Sequence, residues 1–349
     1  MQGAFDWLEG LPPQLSAALV AAVVALTTSI VTTLAAPGLK YRYDRRLETN
    51  KVEITYRSEQ QKALRDHFAT YKGLLLEAGE FLNHRYWNFY YHEQAGWLNL
   101  RGHYFGDDCG YYAKSFAYRL LVVLSVIRLV ERKSLYIDAT VATRQDFNFL
   151  KALKLNLRVW TDTALFDSLA YDQGVASDHF FRDDLASMAD QLQDKDSGII
   201  SLKAFSRAIQ HDKHPYVDVF QYLDGVCSGE ERFRFDRIVC AHLVLLATLN
   251  SSGYDYQQST AERMAEAAGK CEHPAVLANL EYMIRSLMLE KDPGFQQLLQ
   301  VLASLAASDG SPAARRPRWP LINGPGTARR DGSLDRTVRR DPARHGRAR

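Results

Sequence analysis

The sequence predicts an all-α protein in which one N-terminal transmembrane helix precedes a multi-helix cytoplasmic domain and a disordered, arginine-rich tail. Three observations predict it. The stretch Leu15 to Ala36 holds 22 residues without a charge, later segments repeat apolar residues at helical spacing, and the chain from Ser308 onward has almost no large apolar side chains. The implied layout is a short extracytoplasmic segment at 1–14, a span at 15–36, a helical domain over 40–307 and a tail at 308–349.

At about 1.5 Å per residue, the uncharged stretch is long enough to cross a ~30 Å hydrocarbon core, and Pro37 and Gly38 are expected to end it. Its Ser and Thr hydroxyls lower the hydropathy, but each is able to bond back to a helix carbonyl. No Lys or Arg precedes the run and Pro37 follows the small-residue site, which argues against a cleaved signal peptide. Asp6 and Glu9 lie before it and Lys40, Arg42, Arg45 and Arg46 after it. The positive-inside rule therefore places the N-terminus outside and the bulk of the chain in the cytoplasm, with a bacterial inner membrane as the expected site. The four basic residues are expected to meet the lipid surface. Ala17, Ala21, Ala25, Ser29 and Thr33 form a small-residue stripe suited to helix association, although thirteen of the 22 residues are Ala, Ser or Thr and composition alone favours such a row.

Beyond the anchor, Leu64, Phe68, Tyr71, Leu75, Ala78 and Leu82 follow a 4-3-4-3-4 spacing, with Leu47 and Ile54 in register upstream. This is a long amphipathic helix. Asn50, Arg57 and Gln61 interrupt the seam, so packing inside its own domain is favoured over a free coiled coil. Further helices are expected over Gly110–Lys133, Thr143–Val159, Asp178–Gln193, Ser201–His211, Pro215–Leu223, Glu230–Asn250, Ser259–Ala268, Pro274–Lys291 and Phe295–Ala307. Ser201 reads as an N-cap, Pro215 and Pro274 as first-turn prolines, and Pro293 as a break. Leu120 to Ile127 lies between Arg119 and Arg128, and Ile238 to Leu249 is too short to span a bilayer, so both read as buried core helices. The polar stretch at 172–177 marks a weak internal boundary.

The formal net charge is +2, yet the last 42 residues carry 11 Arg against 4 Asp, leaving residues 1–307 at −5. The folded part thus lacks the basic character of a nucleic-acid binder, and only the tail offers an arm for anionic lipid or nucleic acid, unless it merely reflects GC-rich codons. Cys109, Cys227, Cys240 and Cys271 form no CxxC pair, as expected of reduced cytosolic thiols.

Arg237 and His242, in RIVCAH, are similar in spacing to the RxxxxH motif of HEPN-type ribonucleases, a helical family. The resemblance implies a His that takes the 2′-hydroxyl proton and an Arg that steadies the phosphate. The residues' own setting points elsewhere, because His242 sits in an apolar run, as a core histidine does. Asp194 to Phe205 is one residue short of an EF-hand loop and has Ala204 at the bidentate position, so it reads as a turn before a capped helix. Cys240 and His242 point about 200° apart on a helix and cannot share a metal, Cys271 and His273 read as an ordinary thiol and imidazole, and His211 and His214 read as a helix-end pair. Tyr86, Trp87, Phe89, Tyr90, Tyr91, Trp97, Tyr104, Phe105 and Tyr111 suggest an aromatic core or a partner surface. Asp107-Asp108, Asp183-Asp184 and Glu230-Glu231 show no paired-carboxylate spacing, and the last two read as helix-start charges.

The expected function is that of a non-enzymatic, membrane-tethered interaction or sensor protein with a cytosolic protein partner and self-association through the anchor. It needs no metal or cofactor. The alternatives are a membrane-attached ribonuclease built on Arg237 and His242, and an oligomeric membrane-disrupting effector.

Overall fold

The computed structural model describes residues 12–134, 142–174, 177–194 and 198–308, apart from the side chains of 34–39, 67, 134 and 308. All regular structure among these residues is helical. Residues 1–11 of the segment expected to be extracytoplasmic, the tail beyond 308 and positions 195–197 of the EF-hand-like loop lie outside the described residues.

Helix α1 (Pro13–Ile30) begins with a proline at its first position, where the missing N–H has no intrahelical partner to lose. Pro13–Thr33 has a mean hydropathy of 2.1 and is unburied among the described residues; by length and composition it is able to cross a membrane. Thr27, Thr28 and Thr32 donate to the carbonyls of Val23, Val24 and Thr28 at 2.7–2.8 Å, so the backbone itself satisfies these hydroxyls.

The expected stop at Pro37 and Gly38 does not occur. Helix α2 (Ala36–His92) runs through both for 57 residues, joined to α1 by a π turn at Val31–Ala35. A proline inside a helix costs one backbone hydrogen bond, and a π turn is a common form of local irregularity within a continuous helix. From Lys40 to Ala63, about 36 Å of helix, no side chain is buried, with Val52 70% and Ile54 66% exposed. Burial begins at Leu64 and continues through Phe68, Leu75, Ala78 and Leu82. The heptad seam thus packs within its own domain in its second half only, while upstream Ile54 is exposed and Leu47 is only partly covered.

The domain is organised on two hub helices, α3 (Gly110–Ser134) and α8 (Arg234–Ser252). Both contain the apolar runs that are too short or too charged at their ends to be spans, and every residue of α8 from Arg234 to Leu249 is buried. The second half of α2 packs on both hubs, and α4 (Arg144–Thr161) lies between them. Around α3 sit α5 (Arg182–Asp190), α6 (Leu202–Ala208) and α7 (Val217–Leu223). Around α8 sit α9 (Ala261–Ala268), α10 (Pro274–Ser286) and α11 (Pro293–Ser308). Residues on either side of the polar 172–177 stretch, Phe166 and Phe180 among them, join one hydrophobic core.

Several helix starts follow their caps. Thr143 and Asp146 form a reciprocal capping box on α4, and Ser201 Oγ accepts from Ala204 N–H at 3.2 Å on α6. Others shift for tertiary reasons. Helix α5 begins at Arg182 rather than Asp178 because the Asp178 carboxylate is held by Arg232 Nε at 2.7 Å and Phe233 N–H at 3.0 Å, and Phe180 N–H donates to Trp160 O at 3.0 Å. Helix α8 begins at Arg234, so Glu230 is not a helix-start charge; it pairs with Arg234 instead. Helix α10 ends at Ser286, short of Lys291, where Met288 turns the chain with φ +55°.

Candidate functional site

The residues expected to meet lipid lie on the rod formed by α1 and α2. Ala17, Ala21, Ala25, Ser29 and Thr33 are exposed along α1 and its π turn, and Lys40, Arg42, Arg45 and Arg46 are exposed on the first turns of α2. None of these four cations pairs with a carboxylate among the described residues. Together they make a collar of free positive charge where the apolar segment ends.

The structure does not bring Arg237 and His242 into one site. Five residues apart on α8, they point about 140° away from each other. Arg237 is fully buried; its Nη1 donates to Val159 O, and Nη1 and Nη2 both reach Asp162 O at 3.2 Å, so it ties the C-terminal end of α4 to α8. Its Cζ lies 4.4 Å from the Phe166 ring centre. His242 is equally buried on the α2 side, with Nε2 2.8 Å from Asn83 Oδ1 and its ring 4.8–5.5 Å from those of Tyr86, Trp87 and Tyr90. Neither reaches solvent. A ribonuclease needs both groups on one accessible phosphate, and this geometry offers none.

Burial, with a smaller contribution from the Arg263 charge, pushes the His242 imidazole down to about 3 from 6.5. The folded protein therefore holds it neutral while the unfolded chain takes up a proton below pH 6.5, so its contribution is complete above that pH and is lost as pH falls toward 3. At pH 5 the loss amounts to about 2 kcal/mol. Urea unfolding of the full chain in neutral detergent is expected to show that decline between pH 7.5 and 5. His179 and His214 are lowered too, chiefly by burial, and add to it. In His242→Gln, which keeps an amide for Asn83, the decline shrinks by about 2 kcal/mol; an unchanged decline assigns the protons elsewhere.

The remaining sequence motifs are absorbed by structure. His273 Nδ1 meets the buried Asp236 carboxylate at 2.6 Å, and that carboxylate also accepts Glu272 N–H at 2.7 Å, anchoring the start of α10 to α8. Cys271 lies beside Cys240 and is raised by that contact and by burial, which makes it a poor nucleophile. His214 accepts Tyr216 N–H at Nδ1 and so donates from Nε2 to Tyr104 O at 2.9 Å, a loop carbonyl rather than a helix end. No group of three metal-ligating side chains occurs among the described residues.

The aromatic window divides between core and surface. Tyr86, Trp87, Phe89 and Tyr90 are buried, whereas Tyr91, Trp97 and Tyr111 are exposed. The loop that presents Trp97 is held by Asp224, whose carboxylate accepts the N–H groups of Leu100, Arg101 and Gly102 and the Tyr104 hydroxyl at 2.7–3.1 Å. Sequence reasoning missed Asp224, since nothing local marks a partner 120 or more residues away. It also passed over Arg85 and Arg119 as a pair, which adjacent helices bring together. No protein-family model, curated protein or solved structure matches this chain.

Proposed function

We propose that this chain is a single-pass, membrane-tethered interaction protein that holds its helical domain on the cytoplasmic face of a bacterial inner membrane. The observation that carries the reading is α1, whose apolar side chains are not buried against anything among the described residues. Leu15, Leu19, Val20, Val23, Val24, Leu26, Ile30 and Val31 are 39–63% exposed. Leaving eight such side chains in water forgoes on the order of 10 kcal/mol of burial, which a bilayer supplies. The collar at Lys40, Arg42, Arg45 and Arg46 adds about 1 kcal/mol per residue at an anionic surface and sets the orientation.

The reading extends to what the domain does there. Because α1 continues into α2, the first half of α2 acts as a rigid spacer of about 36 Å between lipid and domain. Such a spacer suits a module that reaches a cytosolic protein partner. The exposed Trp97 and Tyr111 are the kind of side chain that anchors such contacts. Leu47 and Ile54, together with the stripe on α1, suit pairing with a second copy.

Full-length protein is expected to remain in the membrane pellet after alkaline carbonate washing, and deletion of 13–33 to release it. A phosphatase fused after residue 307 is expected to be inactive and a fluorescent protein at the same point to glow. Soluble full-length protein, or an active phosphatase, overturns the reading.

A further inference from the structure

Along the junction of α2 and α3 runs an apolar groove of about 300 Å³, walled by Leu74, Ala78, Phe81, Val122, Val126 and Leu202. That volume is at the small end of ligand sites. The cation on its wall is Arg119, whose guanidinium lies 6.0 Å from the Phe81 ring centre. One turn beyond Phe81 on α2 is Arg85, only 7% exposed, with Nη2 donating to Ser115 Oγ at 2.5 Å and Cζ stacked 4.4 Å from the Tyr112 ring centre. Its Nε is buried without a hydrogen-bond partner among the described residues.

The charge here is uncompensated. Neither arginine forms an ion pair with a carboxylate among the described residues, and Glu77, the acid on the groove wall, pairs with neither. Burial and the Arg85 charge both act to lower Arg119, as expected of two like charges that share a half-buried corner with no counter-ion. Such a corner favours a bound anion, and the adjoining groove favours an apolar chain.

We propose that this groove binds a single medium-chain fatty carboxylate, its head on Arg119 in the field of Arg85 and its chain along Phe81, Val122 and Val126. At ~30 Å³ per water-sized group the groove holds about ten such groups, which suits a chain of about ten carbons. The site stands whether or not α1 lies in a bilayer, so its failure and the failure of membrane tethering are separable.

The test uses the full chain in phosphatidylcholine nanodiscs and decanoate carrying a terminal diazirine, with labelled peptides mapped by mass spectrometry. Label is expected within 74–81 or 118–126. Unlabelled decanoate is expected to compete about tenfold more strongly than decan-1-ol, because only the carboxylate forms charge-assisted hydrogen bonds. Arg119→Gln is expected to raise the half-saturating concentration about tenfold, Arg119→Lys to keep it within about threefold, and Val122→Trp to abolish labelling. Label elsewhere, equal competition by the alcohol, or Arg119→Gln binding as the parent does overturns the proposal.

Discussion

Gly294→Ala is expected to lower the stability of the full chain by about 3 kcal/mol, a large effect for one methyl group. Gly294 is the second residue of α11, at the point where that helix crosses α8. A Cβ there would sit 2.1 Å from Ala247 O and 2.7 Å from Ser251 N–H nitrogen, both backbone atoms of α8. Neither atom is able to rotate away, so α11 must move outward and loosen the burial of Phe295 and Leu298. The crossing is further held by Asp292, which accepts Ser251 Oγ at 2.8 Å and Gly294 N–H at 3.2 Å. Gly73→Ala is the control. Gly73 lies on an exposed face of α2 with nothing within 4 Å of an added Cβ, and alanine there is expected to stabilise by about 0.5–1 kcal/mol. Urea midpoints in neutral detergent, followed by near-ultraviolet dichroism, give both values. Equal shifts for the two variants would mean that α11 and α8 do not approach so closely.

Arg237→Ala is expected to cost about 4 kcal/mol in the same assay. The change leaves a cavity between α4 and α8 and removes the donors to Val159 O and Asp162 O, where an orphaned buried carbonyl costs about 1–3 kcal/mol. A buried guanidinium without a carboxylate partner is itself expensive, since burial lowers its affinity for the proton, and this offsets part of the gain. Arg237→Met separates the two contributions because it fills the volume without the donors. It is expected to lie midway between the alanine variant and the parent. A methionine variant as stable as the parent would show that the carbonyl bonds contribute nothing net.

Much of the fold was legible because helix formation is governed by local pattern. The run Ile238 to Leu249 reads as a core helix from its length, and the structure buries all of it; Thr143, Ser201 and Pro274 mark helix starts as read, whereas Pro215 lies ahead of α7, which begins at Val217, and Pro293, read as a break, opens α11. Pro37 misled because a proline predicts a break only where the neighbouring turn remains regular, and a π turn is not visible in residue types. Asp178 misled because a strong N-cap residue was taken by Arg232, a partner 54 positions away. The apolar run around His242 was a better guide than the RxxxxH spacing: a five-residue separation on a helix places the two side chains on different faces, and both are buried, against α4 and α2.

Local periodicity and residue type were enough to determine that the chain is helical, that its first helix is apolar on every side, and that two later runs form the core. These depend on neighbours within a turn or two, so they survive without knowledge of what packs where. Only tertiary structure decided that Arg237 and His242 face apart, that Asp224 holds a distant loop, and that Arg85 and Arg119 meet beside an apolar groove. Those juxtapositions arise from the crossing of helices far apart in sequence, and no local pattern records the angle at which two helices cross.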